Sequence, residues 1–372
     1  MSQNSRIEWT QATWNPIVGC SIVSPGCTNC YAMRDAWRKH HNPAIPHYHG
    51  LTKQVNGNAV WTGKLAQAPD HILLEPLKRK KPTTYFVNSM SDLFHEDCPD
   101  EWIDRVFAVM ALCPQHTFQL LTKRAERMRS YFDDVEDRAM RIGCALGDML
   151  DGDWIWKEGK QYRAQIEGFI SLAHGMTPDD QFFSREEFLP LPNVWLGVSA
   201  ERQQEADERI PLLLQTPAAI RFVSAEPLLG QIDPTRIQIP RTYGSFLFDA
   251  LRGAGRDHHG EPFVSDMDGS HLDWIIVGGE SGMGARPMHP QWARDIRDQC
   301  KAAAVAFFFK QWGEYSPTPS GGRTDRIHAF KERGACHAVL HPDGDVVRVG
   351  KKAAGRLLDG QLHDAMPGGQ SR

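Results

Sequence analysis

Short apolar runs punctuate the chain, and between several of them apolar residues recur at helical spacing. The runs are IVGC (17–20), TYFVNS (84–89), TFQLLT (117–122), NVWLGVS (193–199), IRFVSA (220–225), DWIIVGG (273–279) and VAFFFK (305–310). Most are continuously apolar rather than alternating, the pattern of parallel strands covered on both faces. Between them, DEWIDRVFAVMALC (100–113) spaces Trp102, Ile103, Val106, Val109 and Met110 as one helical stripe. ERQQEADERIPLLLQ (201–215), with its acidic start, and HPQWARDIRDQCKAA (289–303) predict two more helices. This alternation predicts βαβ units and a parallel sheet, open or closed.

The expected fold is α/β: a partial or complete parallel (β/α) barrel over 1–313, followed by a small C-terminal extension over 314–372. Two insertions interrupt the alternation. One, at about 125–190, carries Trp154, Trp156, Phe169, Phe182 and Phe183 and is expected to be mostly helical. The other, at about 235–272, is expected to be loop-like, with RGAGRDHHGEP and SDMDGSH. Either could act as a lid or a substrate wall, or be surface elaboration. In the extension, HAVLHPDGDVVRVG predicts a hairpin turning at Asp343-Gly344, and KKAAGRLLDG a short helix closed by Gly360.

Polar residues gather just after the predicted strands. Asn88, Ser89, Ser91 and Asp92 follow one; Thr122, Lys123 and Arg124 the next; then Ser199 with Glu201, Ser224 with Glu226, Gly278 and Gly279 with Glu280, and Lys310 with Gln311. In a parallel barrel all carboxyl ends open on one face, where active sites form, and an open doubly wound sheet also binds at its carboxyl ends. The recurrence points to one shared site.

Charge and compartment narrow the function. The net charge of −4 excludes a protein that is an electrostatic nucleic-acid binder as a whole. The start MSQNSRIEWTQATWNP has no basic and apolar leader pattern, and no apolar run is long enough to span a bilayer, so a cytoplasmic protein with no membrane partner is expected. In a reducing compartment disulfides are not expected. Cys98, Cys113, Cys144, Cys300 and Cys336 are scattered, as small buried hydrophobes usually are.

Cys20, Cys27 and Cys30 are different: WNPIVGCSIVSPGCTNCYAMR spaces them C-x6-C-x2-C, with Tyr31 after the last. Structural zinc wants four ligands, here one CxxC pair plus a distant fourth such as Cys98 or a histidine. Redox chemistry needs only Cys27 and Cys30. A four-iron cluster held by three thiolates keeps one iron open to another ligand.

A three-cysteine loop with an adjacent aromatic, opening a series of βα segments, resembles the radical S-adenosylmethionine (radical SAM) superfamily. The commonest spacing there is C-x3-C-x2-C with the aromatic before the last cysteine; here Asn29 stands before Cys30. The chain also resembles a phage-associated three-cysteine-motif family, through SMSDLF, VSAEPLL, VGGESG and GKKAAGRLLDG. The resemblance implies that Cys20, Cys27 and Cys30 hold a 4Fe–4S cluster whose open iron chelates S-adenosylmethionine. Reductive cleavage would then yield a 5′-deoxyadenosyl radical that takes a hydrogen atom from a substrate. It further implies that Ser89, Ser91 or Asp92 bonds the methionine amine and that Lys123 or Arg124 meets its carboxylate. Ser199 and Glu201 would bond the ribose, and Gly278 and Gly279 would lie against adenine. Glu226, Glu280, Lys310 and Gln311 would face the substrate, and Asn15 and Tyr31 would support the cluster loop. An electron donor such as flavodoxin or ferredoxin is implied.

Weaker signals bear on the substrate. LKRKKP (77–82) is basic, and Lys123, Arg124, Arg127 and Arg129 could extend it into a phosphate-binding patch. A solvated helix end is the plainer reading. VGGESGMGARP fits neither glycine-rich nucleotide motif. With the phage resemblance, these signals point to a nucleic acid or nucleotide substrate. The competing reading is a zinc-stabilised, phage-related nucleic-acid-binding protein without radical chemistry.

Overall fold

The computed structural model describes residues 5, 7–151, 188–240, 245–257, 259–265, 267–317, 338–339 and 346–369. Its main sheet has seven strands: β1 (Ala12–Trp14), β2 (Thr84–Val87), β3 (Thr117–Thr122), β4 (Val194–Ser199), β5 (Ile220–Ala225), β6 (Trp274–Gly278) and β7 (Ala306–Gln311). They lie side by side in chain order, with β1 and β7 at the ends, and the sheet is parallel. Chain order without reversal is the order of a (β/α) barrel; a doubly wound sheet would reverse at a switch point. The fold is therefore α/β with the strand order of a partial barrel.

The chain divides into two compact units. The first comprises Met1–Val23, Cys30–Gly197 and Thr216–Ile220; the second comprises Ser24–Asn29, Val198–Gln215 and Arg221–Arg372. The division cuts through β4 and through the cysteine loop.

In the first unit, Trp14, Tyr85 and Phe118 stand on one face of neighbouring strands. The rings of Tyr85 and Phe118 stack 5.5 Å apart, and all three residues are buried. The predicted helix over 100–113 is α2 (Asp100–Ala111), which buries Ile103, Val106, Phe107, Val109 and Met110; α1 (Tyr31–Lys39) precedes it. The sequence misplaced the first strand. Ile17–Val18 pairs antiparallel with Ala66–Gln67 in a separate two-stranded sheet, and the main sheet begins with Ala12–Trp14. The start of the first insertion is helical, at Ala125–Tyr131 and Val135–Asp151. Trp154, Trp156, Phe169, Phe182 and Phe183 lie outside the described residues.

In the second unit, α3 (Gln203–Leu214) and α4 (Pro290–Ala303) match the predicted helices closely. The segment expected to be loop-like instead forms a four-stranded antiparallel sheet, at Ile237–Pro240, Ser245–Asp249, Ala254–Arg256 and Pro262–Phe263. Phe246 and Phe248 are buried from one face of its second strand, an alternation masked by the surrounding glycines. Ala338–Val339 and Val346–Arg348 pair antiparallel as the predicted hairpin; its Asp343-Gly344 turn is outside the described residues. The short helix runs Lys351–Ala354 and ends at Gly355, φ +74°, five residues before the glycine expected to close it. The C-terminal segment is fastened to the sheet: Trp274 Nε1 donates to Ala365 O (2.9 Å) and Trp312 Nε1 to Leu357 O (2.8 Å).

Candidate functional site

The sequence-predicted polar residues lie at or just after the carboxyl ends of main-sheet strands, and most are already engaged. In the first unit Asn15, after β1, accepts on Oδ1 from Ser89 Oγ (3.1 Å) and Met90 N (3.0 Å). Ser91 Oγ donates to Ile17 O (2.9 Å), and Gly19 N to Met90 O (3.1 Å). Tyr31 Oη donates to Ser89 O at 3.1 Å. These bonds tie the chain entering Cys20 to the turn after β2. Gly19 has φ +97°, and a Cβ there would lie 2.1 Å from Lys64 O, so only glycine fits. Asn15, Tyr31, Ser89 and Ser91 are thus parts of one brace around the loop.

Asp92 and Arg124 form the centre of a second network. The Asp92 carboxylate accepts from Phe94 N (3.1 Å), Thr122 Oγ1 (2.7 Å), Lys123 N (3.1 Å) and Arg124 Nη1 (3.0 Å). Arg124 also donates through Nε to Glu96 (2.7 Å) and through Nη2 to Ser21 Oγ (2.6 Å), and its Nη1 lies 3.8 Å from Cys20 Sγ. Burial works against the guanidinium charge, but Asp92, Cys20 and Glu96 outweigh it and hold Arg124 above its ordinary value. Ser21 Oγ also meets His95 Nε2 at 2.9 Å. Burial, and then Arg124, hold His95 below its ordinary value. Ser21, His95 and Glu96 were not foreseen, since nothing local in the sequence links them to Arg124.

In the second unit, residues 24–29 of the cysteine loop are clamped. Glu201 is fully buried; Oε1 accepts from Ser24 Oγ (2.7 Å) and Oε2 from Arg209 Nη1 (3.1 Å). Arg209 also bonds Ser199 O (2.7 Å). Glu280 holds Arg286 bidentately, Nε to Oε2 at 2.8 Å and Nη2 to Oε1 at 2.6 Å, and Arg286 Nη2 reaches Pro25 O at 2.9 Å. Asn29 Nδ2 donates to Gly284 O (2.8 Å). Glu201 and Glu280, expected to meet ribose and substrate, are therefore engaged in ordering the loop that carries Cys27. Ser24, Arg209 and Arg286 are the partners the sequence reading missed. Glu201 precedes the helix that carries Arg209, so the pair follows no helical i,i+3 or i,i+4 spacing and no local pattern signals it.

Glu226 and Lys310 form a separate pair: Lys310 Nζ lies 2.9 Å from Oε1 and 3.0 Å from Oε2. Gly278 leaves room for it, because a Cβ there would lie 2.5 Å from Glu226 Oε1. A Cβ on Gly279 would lie 2.0 Å from Trp312 O, so that glycine serves backbone packing. Gln311 is buried.

Cys20, Cys27 and Cys30 are half-buried; Cys30 immediately precedes α1, and Cys27 closes the short 3-10 turn Pro25–Cys27. Cys20 and Cys30 belong to the first unit and Cys27 to the second. Among the described residues, no three His, Cys, Asp or Glu side chains form a group that could hold a metal ion. By donor chemistry the three suit a thiolate-held group, with Arg124 beside Cys20 to offset negative charge. Cys98 suits it poorly: burial pushes its thiol up to about 12, and the thiolate a metal needs is disfavoured.

The basic run keeps its exposed Lys78, Lys80 and Lys81, but these precede the amino end of β2. Of the residues expected to extend it, Arg124 is buried, Arg127 pairs with Asp100 and Arg129 with Asp133. No helix among the described residues is long and apolar enough to cross a membrane.

Residues 4–367 match the family described as Protein of unknown function (DUF5131), and the chain belongs to that family. No curated protein and no solved structure matches it.

Proposed function

We propose that this chain is a radical S-adenosylmethionine enzyme in which Cys20, Cys27 and Cys30 hold a 4Fe–4S cluster. The observation that carries the reading is the cysteine loop itself: three cysteines within residues 20–30, on a loop braced by buried charged networks. When bound, the cluster and S-adenosylmethionine supply a hydrogen-abstracting radical, with electrons from a flavodoxin- or ferredoxin-type donor. The chain's own residues have three tasks. Asn15, Ser89, Ser91 and Tyr31 fix the approach to Cys20. Glu201 and the Glu280–Arg286 pair fix the segment that bears Cys27. Glu226 and Lys310 offer a substrate one acceptor and one donor from a half-buried pair. On the phage resemblance, the substrate class is a nucleic acid or nucleotide.

The test is anaerobic purification followed by metal analysis and visible spectroscopy. A brown protein with about four irons and a broad band near ~400 nm, lost in Cys27→Ala, is expected. Adding S-adenosylmethionine and dithionite should then release 5′-deoxyadenosine. A colourless protein with one zinc and no iron, even after reconstitution, would sink the reading and leave the loop as a structural zinc site.

A further inference from the structure

Arg124 was expected to meet the methionine carboxylate of S-adenosylmethionine, yet its guanidinium is already committed. Its side chain is 4% exposed, and its three nitrogens bond Glu96, Asp92 and Ser21. Asp92 cannot release it cheaply, because the carboxylate is buried and would lose its charged partner. What remains within reach is Cys20 Sγ, 3.8 Å from Nη1.

We propose that Arg124 is an electrostatic positioning residue that raises the reduction potential of the cluster held at Cys20. This rests on the cluster reading above. Reduction adds one electron from a one-electron donor; no bond forms or breaks, and the site becomes more negative by one charge. A buried cation a few ångströms from one ligand sulfur stabilises that added charge in a region that water screens poorly. The surrounding acids do not cancel it. Glu96 is 59% exposed and solvent-screened; buried Asp92 offsets part of the cation's field, leaving Arg124 as the group whose Nη1 stands 3.8 Å from Cys20 Sγ. The same network explains why Ser21 Oγ faces Arg124: it fixes the guanidinium on the side of Cys20.

The experiment is a potentiometric titration of the reconstituted full chain with dithionite, followed by visible absorption and electron paramagnetic resonance. In R124Q the ratio of reduced to oxidised cluster at fixed potential should fall about tenfold, a drop of about 59 mV for a one-electron couple. R124K should recover most of that shift. D92N removes the opposing charge and should move the potential upward. Opposite signs in R124Q and D92N separate an electrostatic role from general damage, which would move both alike. Should R124Q fail to fold, the D92N and R124K shifts decide. A wild-type cluster whose potential is unmoved by these substitutions overturns this inference alone. A wild-type chain that takes up no iron overturns the cluster reading and this inference with it.

Discussion

Gly26 packs against Glu201 so closely that a Cβ on residue 26 would lie 2.1 Å from Glu201 Oε1 and 2.6 Å from its Cγ. A free glutamate would swing aside, but this one is fully buried and held by Ser24 and Arg209. Gly26→Ala should therefore displace the loop rather than the carboxylate, at a cost of about 1–3 kcal/mol. Alkylation of Cys27 in the metal-free protein should become several-fold faster, with a lower Tm. An unchanged alkylation rate would mean that the clamp does not order Cys27.

Much of this fold is legible in the sequence, because continuous apolar runs are local signals. Thr117–Thr122 and Ile220–Ala225 coincide with their predicted spans. The first strand was misread because Ile17–Val18 is more β-like than Ala12–Trp14, and pairing partners far along the chain decide between them. The site was legible only as a set of strand-end residues. Their roles depend on contacts such as Ser24 with Glu201, 177 residues apart, which no local pattern encodes. A glutamate after a strand looks the same whether it faces a ligand or a buried serine.

The Glu280–Arg286 clamp has a defined pH signature. Burial alone would raise the Glu280 carboxyl, but the bonds from Arg286 and Asn29 outweigh it and hold it below its ordinary value of 4.5. A depressed folded-state value means that the stabilisation is fully present above the unfolded value. It is lost as pH falls through the folded one. The Tm difference between wild type and Glu280→Gln should be constant at neutral pH and shrink as the pH drops below about 4.5. A difference that stays flat into acid would show that the pair does not stabilise the fold through charge.

Gly278 and Glu226 compete for space. In Gly278→Ala the new methyl would meet Glu226 Oε1 at 2.5 Å and its Cδ at 2.8 Å, so the carboxylate must leave Lys310. The ion pair is half-buried, and its loss should lower stability by about 1 kcal/mol. In a Glu226→Ala background the same Gly278→Ala change should be nearly neutral for stability. Equal effects in both backgrounds would mean that Gly278 serves some other neighbour.

Gln119 is fully buried in β3, and neither its Oε1 nor its Nε2 has a hydrogen-bond partner among the described residues. Its register partner is Phe86, and it points to the face opposite the stacked Tyr85 and Phe118 rings. A buried, unpaired amide costs about 1–3 kcal/mol, whereas an apolar side chain of similar shape has no such penalty. Gln119→Leu should therefore raise the Tm of the metal-free protein. A lower Tm would mean that the amide is satisfied in solution by water. If the increase appears only without S-adenosylmethionine and reverses when it is added, Gln119 is a ligand contact kept at the expense of stability.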